Sequence, residues 1–216
     1  EELYRNAYNL VLHKHGPLLY EGVTDKLNTI LLKTVEDLYV QSNETLLEAM
    51  AVAWQEHQIT MIMIRDVLMY MDRTYVAQAR RRPVYELGLH LFQITVWDHP
   101  NVGQRVLDLV LEAIHQQRLG VQDQNMDLRI PELVKMLLEL GQADFQQNVY
   151  TIFEEQFLST TLEFYQQESL NFLSNNTASD YVRKAQFRLK SETSRAHQLK
   201  LPPSTEGPLM STLETE

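Results

Sequence analysis

From Ser42 or Asn43 to about Arg80 the chain runs roughly 36 residues without a glycine or proline, the residues that most often stop a helix. Read as one helix, that segment spans roughly 54 Å at 1.5 Å per residue. Its middle, Met61-Ile62-Met63-Ile64 and then Val67 to Met71, is apolar on more than one face. Such a pattern predicts burial inside a bundle, with Met61, Ile64 and Leu68 in the core. Composition agrees: seven Gly and seven Pro in 216 residues fall well below ordinary usage. An all-β domain needs many Gly- and Pro-rich turns, so the expected fold class is all-α.

The rest of the chain shows the same period. Glu1 to His15 reads as a helix closed by Gly16-Pro17, and Thr24 to Gln41 as a second, with Leu27, Ile30, Leu31, Val35 and Leu38 at three- and four-residue spacing. Val84 to Trp97 follows Pro83, with a break at residues 98–101. Val102 to Leu119 ends at Gly120 as C′ residue. A helix starting near Asp127 tolerates Pro131 and ends at Gly141; a connection over 142–147 leads into one that ends near Leu173. Thr177 to Asp180 resembles a capping box for Tyr181 to Leu199. Residues 201–204 read as a hinge, and those beyond as the start of a frayed helix.

Nineteen basic against 29 acidic side chains give a net charge of −10, which argues against a phosphate backbone as main partner. No apolar run reaches the roughly 18 residues of a membrane span, and no basic region precedes an apolar leader. The absence of Cys removes disulfides, thiolate zinc sites and thiol catalysis. The chain opens with Glu, so it reads as a fragment. No Gly-rich phosphate loop, nucleophile elbow or His-Glu-x-x-His signature is present. His13 and His15 lie about 200° apart on a helix and cannot chelate one ion; they suit a helix C-terminus instead. His57 reads as a hydrogen-bonded core histidine ahead of a catalytic base, and the acidic residues fall on solvent faces. No metal, cofactor or catalytic residue is expected. Arg80-Arg81-Arg82 is the one basic cluster; it complements helix carbonyls or meets an acidic or phosphate-bearing partner.

The first helix carries two apolar ridges. Leu3, Ala7, Leu10 and Val11 form a core stripe, and Tyr4, Tyr8 and Leu12 a second ridge at four-residue spacing. Two ridges mean burial on both sides or one side left for a partner, and the pattern leaves both open. Tyr suits interfaces because it joins a rigid apolar body to a polar tip. Tyr70 and Arg73, at i and i+3, are equally ambiguous.

Several segments together resemble the amino-terminal region of the cullin family. They are Glu1-Glu2-Leu3-Tyr4-Arg5-Asn6-Ala7-Tyr8 with Val11-Leu12-His13-Lys14-His15-Gly16; Trp54-Gln55-Glu56-His57-Gln58; Met63-Ile64-Arg65-Asp66; and Leu68-Met69-Tyr70-Met71-Asp72-Arg73. Glu163-Phe164-Tyr165, Glu168-Ser169 and Ala178-Ser179-Asp180-Tyr181-Val182 extend the likeness. The first 75 residues are its specific part.

The resemblance implies an arm of elongated, solenoid-like cullin repeats. Residues 1–175 would form the first repeat without its usual first helix, and 176–216 a connecting helix and the truncated start of a second. It implies a non-catalytic scaffold of a ubiquitin ligase in the cytoplasm or nucleus, supporting proteasomal degradation, with the RING protein bound by a carboxy-terminal region outside this chain. In cullin-3-like members the receptor is a BTB-domain protein. Carried over by position, its contacts would be Glu1, Tyr4, Tyr8, Leu12, Lys14, Tyr70 and Arg73. A repeat lacking its first helix would expose core surface. Pro17, Pro131 and the Arg80 to Arg82 cluster depart from the family pattern. The alternative is a generic helical-repeat adaptor or tether, which would bury the Tyr4-Tyr8-Leu12 ridge. An enzyme built on His57 would need a concave pocket and a nearby carboxylate.

Overall fold

The computed structural model describes residues 1–121, 124–143, 148–174 and 176–214. Every regular element among them is helical. In chain order they are α1 (Glu2–Leu12), α2 (Gly16–Tyr39), α3 (Asn43–Val67), α4 (Met69–Met71), α5 (Ala77–Ala79), α6 (Val84–Phe92), α7 (Gly103–Arg118), α8 (Gln124–Ala143), α9 (Val149–Leu173), α10 (Ala178–Gln198) and α11 (Pro203–Glu214). Single π turns, Asp72–Val76 and Gln93–Trp97, join α4 to α5 and extend α6. The helices form two compact units, one on Glu1–Val106 and one on Leu107–Gly141 with the C-terminal helices.

The first unit packs α2, α3 and α6 around an aromatic cluster. Trp54 and His57 of α3 lie 5.0 Å, centroid to centroid, from Phe92 of α6. Leu27, Leu31 and Leu38 of α2 and Leu46, Leu47, Met50 and Met61 of α3 are buried with them, as the three-four spacing demands. Close crossing of α3 and α6 depends on Gly88: a Cβ there would fall 2.5 Å from Met61 Cε and 2.7 Å from Met61 Cγ. The Gly88 carbonyl also faces His57 Nε2 at 3.0 Å. Arg105 ties the start of α7 to the α2–α3 turn, donating to the Gln41 carbonyl and to Asn43 Oδ1, both at 2.7 Å.

Several expectations need correction. Gly16-Pro17 opens α2 rather than closing α1, so α2 begins eight positions before Thr24. Proline suits the first turn because its missing N–H would have no intrahelical acceptor there. The long helix bends at Leu68 (φ −98°, ψ 11°) and continues through the π turn to Ala79. It is not central throughout: Met61 and Leu68 are buried, Ile64 is half-buried, and Ile59, Ile62 and Met63 are exposed. A groove of about 390 Å³ runs between α2 and α3, with Ile30, Val52, Ala53 and Thr60 on its walls.

In the second unit, α9, α10 and the end of α7 enclose a charged cluster. Glu192, expected on a solvent face, is fully buried; its carboxylate accepts from Arg118 at 3.2 Å, from Tyr165 Oη at 2.7 Å and from Arg195. Burial of the Tyr165 phenol and the adjacent Glu192 charge push its pKa up, so it stays a neutral donor. Arg118 also donates to Thr161 at 2.6 Å, which makes the buried pair a satisfied network. Thr177 caps α10 as expected, its hydroxyl accepting from the Asp180 N–H. The segment after Pro203 is docked, not frayed: Thr205 and Leu209 are fully buried, and Tyr150 of α9 hydrogen-bonds Thr205 at 2.8 Å. Part of the 142–147 connection continues α8 to Ala143; 144–147 lie outside the described residues.

Candidate interaction site

Helix α1 covers a narrow seam of the first unit. At 100° per residue its apolar side chains cover an arc of about 200°, with Ala7 and Val11 at the centre. Ala7 is the one buried residue of the helix and Val11 is half-buried. Leu3 and Leu10, expected in the core, are 71% and 40% exposed, because both lie to one side of the Ala7–Val11 line on which the helix is seated. Tyr4 and Tyr8 are each 36% exposed and Leu12 is 53% exposed, so the second ridge faces solvent. Glu1 is exposed at the N-cap and makes no side-chain cap.

Sixty-two positions away in sequence, α4 places Tyr70 against this ridge. The Tyr8 and Tyr70 rings lie 4.5 Å apart at an interplanar angle of 46°. Tyr70 is half-buried, and Arg73, at the start of the π turn, is exposed. That turn follows the bend at Leu68, and π turns re-aim side chains by inserting one residue into the helical ladder. Thr74 braces it by donating to the Tyr70 carbonyl at 2.7 Å.

The far side of the same segment packs on α2. Gly16 meets Tyr75, where a Cβ would lie 2.7 Å from the ring, and Tyr75 stands edge-on to Tyr20 at 6.2 Å. Tyr20 Oη donates to the Arg82 carbonyl at 3.0 Å, and burial raises its pKa. Asp72 Oδ1 accepts the Val84 N–H at 3.0 Å, supplying the cap that Pro83 cannot make for α6. Lys14 ends α1 in the left-handed region (φ 67°), where its charge meets the negative end of the helix. Of the seven residues selected from sequence, Tyr8 and Tyr70 therefore touch. Glu1, Tyr4, Leu12, Lys14 and Arg73 are exposed on the same two segments. The Gly16–Tyr75–Tyr20 support was not anticipated; its only sequence signal was a glycine beside a proline.

Among the described residues no group of three metal-binding side chains exists, and no helix is long and apolar enough to cross a membrane. His57 is enclosed by Trp54, Phe92 and the Gly88 carbonyl, with burial lowering its pKa to about 4.

An all-helical chain with a solvent-facing tyrosine ridge on its first helix has the pattern of an interaction module. The family model for the cullin alpha solenoid domain matches residues 1–216, and the chain belongs to the cullin family. It is 35% identical to Cullin-3B of Arabidopsis thaliana over 216 residues, covering all of this chain and 29% of that protein. With Cullin-3 of Dictyostelium discoideum it shares 36% identity over 197 residues, 90% of this chain and 25% of the relative. Cullin-3 of Caenorhabditis elegans is 36% identical over 202 residues, 91% and 25% respectively. The chain thus spans less than a third of the curated relatives it matches.

Proposed function

We propose that this chain is the receptor-binding arm of a cullin-RING ubiquitin ligase and recruits a BTB-domain substrate receptor through α1 and the Tyr70–Arg73 segment. The observation that carries the reading is the Tyr8–Tyr70 pair at 4.5 Å, which joins two sequence-distant ridges into one partly exposed patch. Aromatic rings at the centre of a patch supply most of an interface's affinity, while Lys14 and Arg73 at the rim set orientation and encounter rate. Residues 1–175 serve as the first repeat and 176–216 as the start of the next. The chemistry belongs to a RING protein and ubiquitin carrier bound elsewhere on the full-length protein, in the cytoplasm or nucleus. The arm itself contributes placement, raising the effective concentration of substrate.

The test combines a pull-down of the full-length protein, scored for BTB proteins and a RING subunit, with Tyr8→Ala. Truncating a central tyrosine costs about 2 kcal/mol, some thirtyfold in affinity. The thermal melt should move little, since Tyr8 is over a third exposed. Unfolding on that substitution, with binding lost only in proportion, would make the ridge a core element and place the interface elsewhere.

A further inference from the structure

The Arg80–Arg82 turn is not accounted for by the tyrosine patch. After Ala79 the chain closes in a Schellman motif: the Arg81 N–H bonds the Val76 carbonyl at 3.1 Å and the Arg80 N–H bonds that of Ala77 at 3.4 Å. Arg80 therefore holds the left-handed position (φ 51°) where glycine is favoured. Lys14 and Lys200 occupy equivalent positions at φ 67° and 57°, and their charge complements the helix dipole. One cation satisfies that need; this turn carries three.

The surplus charge is presented outward. Arg80 and Arg81 are exposed and enter no ion pair among the described residues. Arg81 lies 5.2 Å above the Tyr20 ring, a stacking that orients the guanidinium without neutralising it. The nearby carboxylates are otherwise placed: Asp72 accepts from the Val84 backbone, and Glu86 lies in the first turn of α6. The turn closes the same helical segment that carries Tyr70 and Arg73, and Tyr20 of α2, on which Arg81 stacks, packs edge-on to Tyr75 of that segment. Along the helical segment it lies about 15 Å from Tyr70 at 1.5 Å per residue. In a chain of net charge −10, Arg80 and Arg81 make a local cluster of the opposite sign.

We infer that the Arg80–Arg81 turn, with Arg73 and Lys14, seats an acidic segment of the same protein partner that docks on Tyr8 and Tyr70. The inference rests on the receptor-binding reading above for the partner's identity, but not for the acidic chemistry. Rim charges act mainly on encounter, so the turn steers an acidic partner to the tyrosines and repels basic ones.

The experiment measures anisotropy of a fluorescent Asp/Glu-rich peptide on the 216-residue chain, beside the BTB protein recovered above. The variants are Arg80→Gln/Arg81→Gln, Arg80→Gln alone, and Lys26→Gln/Lys33→Gln as a charge-matched control. The double arginine variant should weaken the acidic peptide roughly tenfold, slow association of the BTB protein and flatten its salt dependence. The lysine control and Tyr8→Ala should leave peptide binding intact. Arg80→Gln keeps the backbone bonds of the turn and the Arg81–Tyr20 stacking, so its intermediate loss guards against a destabilised double variant. Peptide binding that persists without the arginines overturns the inference, as does tighter arginine-dependent binding of a single-stranded RNA. Loss of BTB binding in every form, with peptide binding kept by the wild type and lost in the double variant, sinks the receptor reading alone.

Discussion

His57 offers a measurement in which one buried group is separable from the rest of the molecule. Its Nε2 lies 3.0 Å from the Gly88 carbonyl, an acceptor only, so the neutral imidazole donates there. Trp54 and Phe92 pack against the ring. Protonation would put a charge among aromatic walls, and burial lowers the pKa from 6.5 to about 4, with the Gly88 hydrogen bond opposing. Because the folded value is depressed, the unfolded chain binds the proton first. Stability from this group is therefore full above the unfolded pKa near 6.5 and falls as pH drops toward 4. Between pH 7 and pH 4.5 the expected loss is about 2 kcal/mol from those two values. His57→Gln keeps an amide donor for the carbonyl and removes the titration. Urea unfolding followed by circular dichroism at both pH values, wild type against His57→Gln, isolates the term, because carboxylate effects common to both cancel. The wild type should lose about 2 kcal/mol more than the variant on acidification. Equal losses, or a His57 resonance titrating near 6.5 in the folded protein, would refute the reasoning.

Other perturbations have equally definite outcomes. Glu192→Ala strands buried Arg118 beside Tyr165 and should cost about 3–5 kcal/mol in chemical denaturation, whereas a paired Glu192→Leu/Arg118→Leu exchange should recover much of it. Gly88→Ala forces its methyl into Met61 and should destabilise by about 1–3 kcal/mol, with Met61→Ala on the same background relieving the overlap. Thr177→Ala removes the hydroxyl that accepts the Asp180 N–H and should cost about 1 kcal/mol, read as loss of hydrogen-exchange protection in the first turn of α10.

Periodicity and terminator chemistry were enough to read helices over 84–97, 102–119 and 181–199, found at 84–97, 103–118 and 178–198, with the cap at Thr177 and the C′ glycine at 120, because these signals are local. They were not enough at Gly16-Pro17, since glycine after one helix and proline at the start of the next use the same letters. Nor could they separate the two ridges of α1. An apolar arc of about 200° has no intrinsic inside, and only the seating of the helix on Ala7 decided that Leu10 would stand as exposed as Tyr8. The residues beyond Pro203 read as frayed because their hydrogen-bond partners, Tyr150 and Glu154, lie some fifty positions upstream. Thus helical class, most boundaries and the tyrosine ridge were determined by the sequence alone. The meeting of Tyr8 with Tyr70, the bend that aims Arg73 and the burial of Glu192 were decided only by tertiary packing, because each depends on contacts between segments whose separation local periodicity does not encode.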